Sequence, residues 1–258
     1  MGSDLGLTRK PSTSWRRPFG TPCMANAAKV SSVVTFMPRQ AGSCTISFGD
    51  YKGSEYITDS TVGLPKCLVQ SRFLKVQQHR VRMPPDSDNI IDDWLWIDYH
   101  DRINVLVEAP VEQDNSQERH FYVFEQSKYA LENRNSIAIV GGIIEPGEQA
   151  EQAAQREVAE EMHVSCLTFK LLGRFRTDVN RGMGWTNSFL ALDCKKITER
   201  SFSNDAFNVE EVGVADTERQ DLQTVPLSKL RELAAQGKFL EIQWTATVAT
   251  ALLQPELQ

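Results

Sequence analysis

The chain has 258 residues, of which 41% are hydrophobic and 24% charged, and its formal net charge is −6. This is the composition of an ordinary globular chain with room for a sizeable core, one domain plus appendages. The acidic balance argues against a broad nucleic-acid-binding surface, though not against a local basic groove, and no apolar run reaches membrane-spanning length. Cys23, Cys44, Cys67, Cys166 and Cys194 are odd in number and never stand as C-x-x-C. That fits a reducing compartment and argues against a disulfide scaffold or a zinc site of the usual spacing.

The first fifty residues differ from the rest. Arg9, Lys10, Arg16, Arg17, Lys29 and Arg39 stand among serines, threonines and alanines, and Asp4 is the only acid before Asp50. The stretch suits a transit segment for the mitochondrion or another organelle. A tail of no address, with the protein in the cytoplasm, is the alternative. Met24 is a second candidate start, and no structure is assigned before about Val69.

Strand patterns follow. Phe73–Val76 and His79–Met83 alternate, and the residues from Pro84 to Asp88 carry turn chemistry. The run from Asp92 to Asp98 places Trp94 and Trp96 on one strand face, where they either stack on a nucleobase or serve as core. Ile103–Val107 and Phe121–Phe124 are the next strands, joined by a polar loop from Gln113 to Arg119.

The most informative stretch is Gly142 to Val164, GIIEPGEQAEQAAQREVAEEMHV. Strand-like Ser136–Val140 leads into Gly141-Gly142, Glu145-Pro146-Gly147 turns, and a helix is predicted from about Gln149 to Met162. Gly142, Glu148, Arg156, Glu157, Glu160 and Glu161 form the pattern G-x5-E-x7-R-E-V-x-E-E, expected by chance on the order of once in a hundred million start positions. At helical spacing Glu157, Glu160 and Glu161 share an arc of roughly 100°. Clustered carboxylates repel one another unless a cation sits among them, and their hard oxygens suit Mg2+ or Mn2+, which in turn hold phosphates. A solvated acidic helix face is the plainer reading. Ala150, Ala153 and Ala154, with Val158 and Met162 beside them, let the helix sit close to its support.

Beyond it, Phe169–Phe175 and Asn187–Leu192 read as strands flanking the glycine-bearing loop at Asn180–Gly184. Residues 201–208 read as loop, and Glu210, Glu211, Asp216 and Glu218 make a second acidic group. A helix starts at Pro226-Leu227-Ser228 and runs to Ala235, capped by Gly237. Trp244, Val248, Ala251 and Leu252 mark a last amphipathic helix. Strands mixed with a few helices around one sheet indicate an α+β or α/β sandwich.

The pattern at Gly142–Val164 resembles the Nudix box of the Nudix hydrolase superfamily, departing where His163 replaces the usual glycine. That glycine ends the helix with positive φ, a region His tolerates better than most residues. The runs RVRMPPDSDNIIDDWLWIDYHDRINVLV, VFEQSKYALENRNSIAIVGGIIEPGE and WTATVATALL are similar to ADP-ribose and ADP-sugar pyrophosphatases, so the resemblance covers roughly Phe73 to Leu253. It implies an α/β/α sandwich with a mixed sheet and a small N-terminal β region exchanged in a homodimer. The division is then residues 1–68 as leader, 69–103 as the β region and 104–258 as the hydrolase domain.

The resemblance also implies roles. Glu157 and Glu161 would be metal ligands, Glu160 a further ligand or water-activating base, and the Gly141 carbonyl a ligand too. Arg156 and Glu148 would orient them. Lys128 and Arg181 are candidates for phosphate contacts, or surface cations without a role. Many ADP-ribose pyrophosphatases carry a glutamate in the loop that here reads Asn180–Trp185. This loop has no acid, which leaves the base to Glu210, Glu211, Asp216 or Glu218, or to the box alone. The implied reaction is hydrolysis of a nucleoside diphosphate linked to a second group, ADP-ribose or a nucleotide sugar first. Alternatives are pyrophosphate or cap removal from RNA 5′ ends in an organelle, and a non-catalytic module in an RNA-processing or ribosomal assembly. The complete set of box acids speaks against the last.

Overall fold

The computed structural model describes residues 44–83, 88–110, 118–197 and 220–258. The transit-like residues before 44, the turn at 84–87, most of the Gln113–Arg119 loop, and the second acidic group with the loop before it lie outside the described residues.

Strand pairing begins earlier than Val69. β1 (Ile46–Ser47) runs parallel to β2 (Lys66–Gln70), which pairs antiparallel with β3 (Leu74–Arg82), and β3 pairs antiparallel with β4 (Ile90–Tyr99). The two short strands expected on either side of Gln77-Gln78 are one, with a register shift between His79 and Val81. A bulge of this kind breaks the alternation of side chains without ending the strand.

The same sheet continues through β10 (Gly182–Lys196), reached from β4 at the Gly182–Ile97 pair. β10 lies parallel to β5 (Arg102–Glu108) and antiparallel to β9 (Val164–Asp178). β5 pairs with β6 (His120–Ser127), and β6 with β11 (Gln220–Pro226). The single strand expected over Ser136–Val140 is in fact divided. β7 (Asn135–Ala138) pairs with β6, whereas β8 (Val140–Ile143) pairs with β5. An apolar run shows that a segment is extended, not that it changes partner midway. The change puts Gly141 and Gly142 inside a strand, opposite Asn104 and Ile103.

Helices cover both faces. Gly142 shares its face with Ile103, and a Cβ on Gly142 would strike Glu157, so α1 (Ala150–Met162) packs on that side. On the other side, the Ser188 hydroxyl is 2.7 Å from that of Thr247, and Thr186 Oγ1 donates to Gln243 Oε1 at 2.6 Å. Thr186 and Ser188 lie beside Arg102 and Asn104 in the parallel register, which sets α3 (Ile242–Leu252) on the Asn104 face. α2 (Leu227–Ala235) packs against α3 and β11. The mixed sheet and its helices make the expected sandwich. β5 is therefore covered twice, and Ile103, Val105, Leu106 and Val107 are fully buried. Each such side chain contributes about 1.5–3 kcal/mol by leaving water. A strand buried on both faces reads as a continuous apolar run, as this one does apart from Asn104.

α1 keeps nearly the predicted limits. The Gln149 N–H, just outside it, donates to Gln152 Oε1 at 3.0 Å, one half of a capping box. His163 closes it in the left-handed region at φ 54°, its N–H bonded to the Ala159 carbonyl at 3.1 Å. Among the described residues no helix is long and apolar enough to cross a membrane.

The cysteine reading needs correcting. Cys44 is joined to Cys67, and Cys166 to Cys194 across the β9–β10 register, with Cα–Cα separations of 4.6 and 3.9 Å. Partners 23 and 28 residues apart meet through sheet pairing, to which parity and C-x-x-C spacing are blind. Cys23 lies outside the described residues.

Candidate active site

The site is assembled where β8 turns into α1. The turn closes through the Glu148 N–H on the Glu145 carbonyl at 2.9 Å, with Gly147 at φ 88° supplying the left-handed step. The Glu145 N–H in turn donates to Glu148 Oε2 at 3.0 Å, so Glu148 is fixed before the helix starts.

Arg156, nearly two helical turns into α1, binds the parts together. Its Nε and Nη2 grip Glu148 in a bidentate pair at 2.9 and 3.1 Å. Nη1 donates to Glu157 at 2.9 Å and to Glu160 at 3.2 Å, while Nη2 also reaches the Ile143 carbonyl at 3.1 Å. A guanidinium presents its donors in a rigid fork, and lysine could not make this set. Burial works against its charge, but the bonds to Glu148 and Glu157 prevail and hold its pKa above the ordinary arginine value. The cation expected among the carboxylates is thus partly the chain's own.

The glutamates differ in setting. The Glu148 side chain is 5% exposed, that of Glu157 14% and that of Glu160 57%. Burial pushes the Glu157 carboxyl up to about 7 despite the opposing pull of Arg156, with the charges of Glu160 and Glu148 adding to the rise. Gly142 lies against it, leaving no room for a side chain on β8. Glu161, one turn beyond Glu157, lines a cavity of about 200 Å3 together with Gly141, Gly142, Asn104, Arg102 and Lys128. A second cavity of about 480 Å3 on the Glu148 flank includes His100, Asp101 and Arg174 in its walls.

The structure therefore brings together Gly141, Glu148, Arg156, Glu157, Glu160, Glu161 and Lys128. Arg181, Trp94 and Trp96 line neither of these two cavities. Arg181 sits in the β9–β10 turn with its guanidinium 5.5 Å from the Trp94 ring centre, and its Nη1 donates to the Asn180 carbonyl at 2.9 Å. Trp96 is buried, stacked on Tyr56 at 4.5 Å, and donates to Asp98 at 3.0 Å. Tyr56 covers the ring, and the Arg176 guanidinium lies 5.3 Å from its centre.

Arg102, Asn104 and Glu241 also line the first cavity, and no sequence motif singles them out. Glu241 stands 3.9 Å from Arg102, and burial raises its pKa against the lowering effect of Arg102 and Lys128. One signal was visible, a lone amide inside the apolar run Ile103–Val107. The others come from segments far apart in the chain.

A NUDIX domain model matches residues 98–245, over half of the chain. The chain belongs to the NUDIX domain family. No protein of curated function matches it. Among solved structures it is similar to the crystal structure of ADP compounds hydrolase, with 16% identity and a TM-score of 0.54 over 77% of this chain and 95% of that one. At that identity the likeness bears on the fold.

Nudix hydrolases generally use divalent metal ions. Among the described residues, no group of three or more His, Cys, Asp or Glu side chains is already set around a metal position. The donor types nonetheless fit one. Glu157, Glu160 and Glu161 offer hard carboxylate oxygens, and a buried carboxylate whose pKa is raised by desolvation is stabilised by an added positive charge.

Proposed function

We propose that this Nudix hydrolase is a divalent-metal-dependent pyrophosphohydrolase of nucleoside diphosphates linked to a second group, with ADP-ribose or a nucleotide sugar as substrate. The observation that carries the proposal is the Arg156 assembly, which holds Glu157 beneath Gly142 while Glu161 faces a polar cavity. The name of the structural relative, an ADP compounds hydrolase, points to the same substrate class.

Glu157, Glu161 and the Gly141 carbonyl would hold Mg2+ or Mn2+, with Glu160 beside them. Bound there, the ion neutralises phosphate oxygens and lowers the pKa of water. The chain's own groups do the rest. Arg156 fixes Glu157 and Glu160 in register, so the carboxylates need not reorganise during reaction. Lys128, on the cavity wall, would contact a phosphate oxygen. Water attacks one phosphorus, the bond to the bridging oxygen breaks, and a carboxylate of the box, Glu160 in this proposal, takes the water proton. The products are two phosphomonoesters, AMP and ribose 5-phosphate in the case of ADP-ribose.

A homodimer and an organellar address for the leader complete the proposal, both resting on the sequence. Purified protein with Mg2+ is expected to hydrolyse ADP-ribose or another member of a panel of nucleotide sugars and dinucleotides. Exclusive turnover of 5′-triphosphate RNA would move the function to RNA ends, and no turnover of any of them would remove the enzymatic reading.

A further inference from the structure

Asn104 is out of character for its strand. It is 4% exposed, between the fully buried Ile103 and Val105, and its Nδ2 has no hydrogen-bond partner. A buried amide donor left unmade suffers the full loss of its hydration, so such groups are uncommon and call for an explanation. Its oxygen end lies against Gly141. Gly141 pairs with Asn104 across β5 and β8, and a Cβ there would lie 2.5 Å from Asn104 Oδ1 and 3.3 Å from the Ile103 carbonyl. Gly141 is thereby needed as glycine to make room for this amide.

Arg102, two residues earlier and on the same face of β5, repeats the feature. Its Nε is buried without a partner, while the rest of the guanidinium is held 4.4 Å over the Tyr99 ring and 3.9 Å from Glu241. Both residues line the cavity that also contains Glu161, Gly141 and Lys128. Two buried donors without a partner, two positions apart on a strand that borders one small polar cavity beside the box, suit a single oxygen-rich group.

We propose that Asn104 and Arg102 form a substrate-contact pair whose Nδ2–H and Nε–H hold acceptor oxygens of the diphosphate-linked group next to Glu161. This rests on the pyrophosphohydrolase reading and adds a binding element outside the box motif. The acceptor is a phosphoryl oxygen or a hydroxyl of the attached sugar, which share the same hydrogen-bonding chemistry.

The test uses the full chain with Mg2+ and measures kcat and KM separately for ADP-ribose and for the methyl ester of ADP, which keeps the diphosphate and lacks the second sugar. Asn104→Ala is expected to raise KM about tenfold or more with kcat changed much less, the mark of a lost contact made equally in ground and transition states. A rise for both compounds assigns the phosphoryl oxygen, and a rise for ADP-ribose alone assigns the sugar hydroxyl. Unchanged KM for both overturns the pair. Arg102→Lys keeps the charge but removes the Nε–H, and it carries the same readout should Asn104→Ala fail to fold. Calorimetric titration with the non-hydrolysable α,β-methylene analogue of ADP-ribose is expected to show the same loss of affinity. Wild-type protein that turns over neither compound nor the wider panel refutes the pyrophosphohydrolase reading and this pair with it. Wild-type turnover with variants of unchanged KM refutes the pair alone.

Discussion

Gly142→Ala isolates the geometry of the site from its chemistry. Gly142 stands in β8 opposite Ile103, and a Cβ there would fall 2.6 Å from Glu157 Cγ and still closer to the carboxylate. The Gly142 backbone is outside the positive-φ region, so alanine is conformationally allowed. Restricting the unfolded chain would by itself stabilise the variant by about 0.4–1 kcal/mol. Against this, Glu157 must leave its place and give up the 2.9 Å charge-assisted bond from Arg156, a loss of about 1.5–3 kcal/mol. The balance is a destabilisation of about 0.5–2.6 kcal/mol, or a Tm lower by about 1–10 °C in a domain of this size. A catalytic carboxylate displaced by about 1 Å is expected to reduce kcat by about 100-fold. The assay is Mg2+-supported hydrolysis of ADP-ribose beside differential scanning fluorimetry, for Gly142→Ala, Glu157→Gln and the double variant. Both changes act through one carboxylate, so the double variant is expected to be no worse than Glu157→Gln. Turnover within twofold of wild type, or fully additive losses, would show that the contact between Gly142 and Glu157 does not govern the site.

Glu161→Gln is expected to abolish turnover with Tm within about 2 °C of wild type, since the side chain is only half-buried and faces the cavity; retained activity would reassign its role. Removing divalent ions with a chelator is expected to stop hydrolysis, with Mg2+ or Mn2+ restoring it. At about 100 times its Kd the added ion should stabilise the fold by about 2.7 kcal/mol, visible as a rise in Tm. Thr247→Val leaves the fully buried Ser188 hydroxyl without the partner it has at 2.7 Å across the α3–β10 contact. Chemical denaturation should report a loss of about 1–3 kcal/mol, whereas a change below about 0.5 kcal/mol would mean that another group answers Ser188.

Much of the site was legible in the chain because it is local. Glu148, Arg156, Glu157, Glu160 and Glu161 fall within a single turn and helix, where spacing along the chain fixes direction in space. The left-handed end at His163 follows from the resemblance, in which a glycine ends the helix at that place. The tryptophans show the limit of such reading. Alternation along β4 put Trp94 and Trp96 on one face, yet nothing local revealed that Tyr56, forty residues before Trp96, would occupy the Trp96 ring. Arg181 was placed near the cleft by its position in the sequence, and strand pairing carried its turn to Trp94 instead.

By itself the sequence determined that a strand, a glycine approach and a carboxylate-bearing helix follow one another, because residues within a few positions interact whatever else the chain does. The tertiary structure alone decided that Ser136–Val140 divides between β6 and β5, that Cys166 meets Cys194, and that Asn104 stands opposite Gly141. Each of these is a pairing between distant segments. Its register is settled by which arrangement buries the most apolar surface while answering the most backbone hydrogen bonds, a competition among all strands at once.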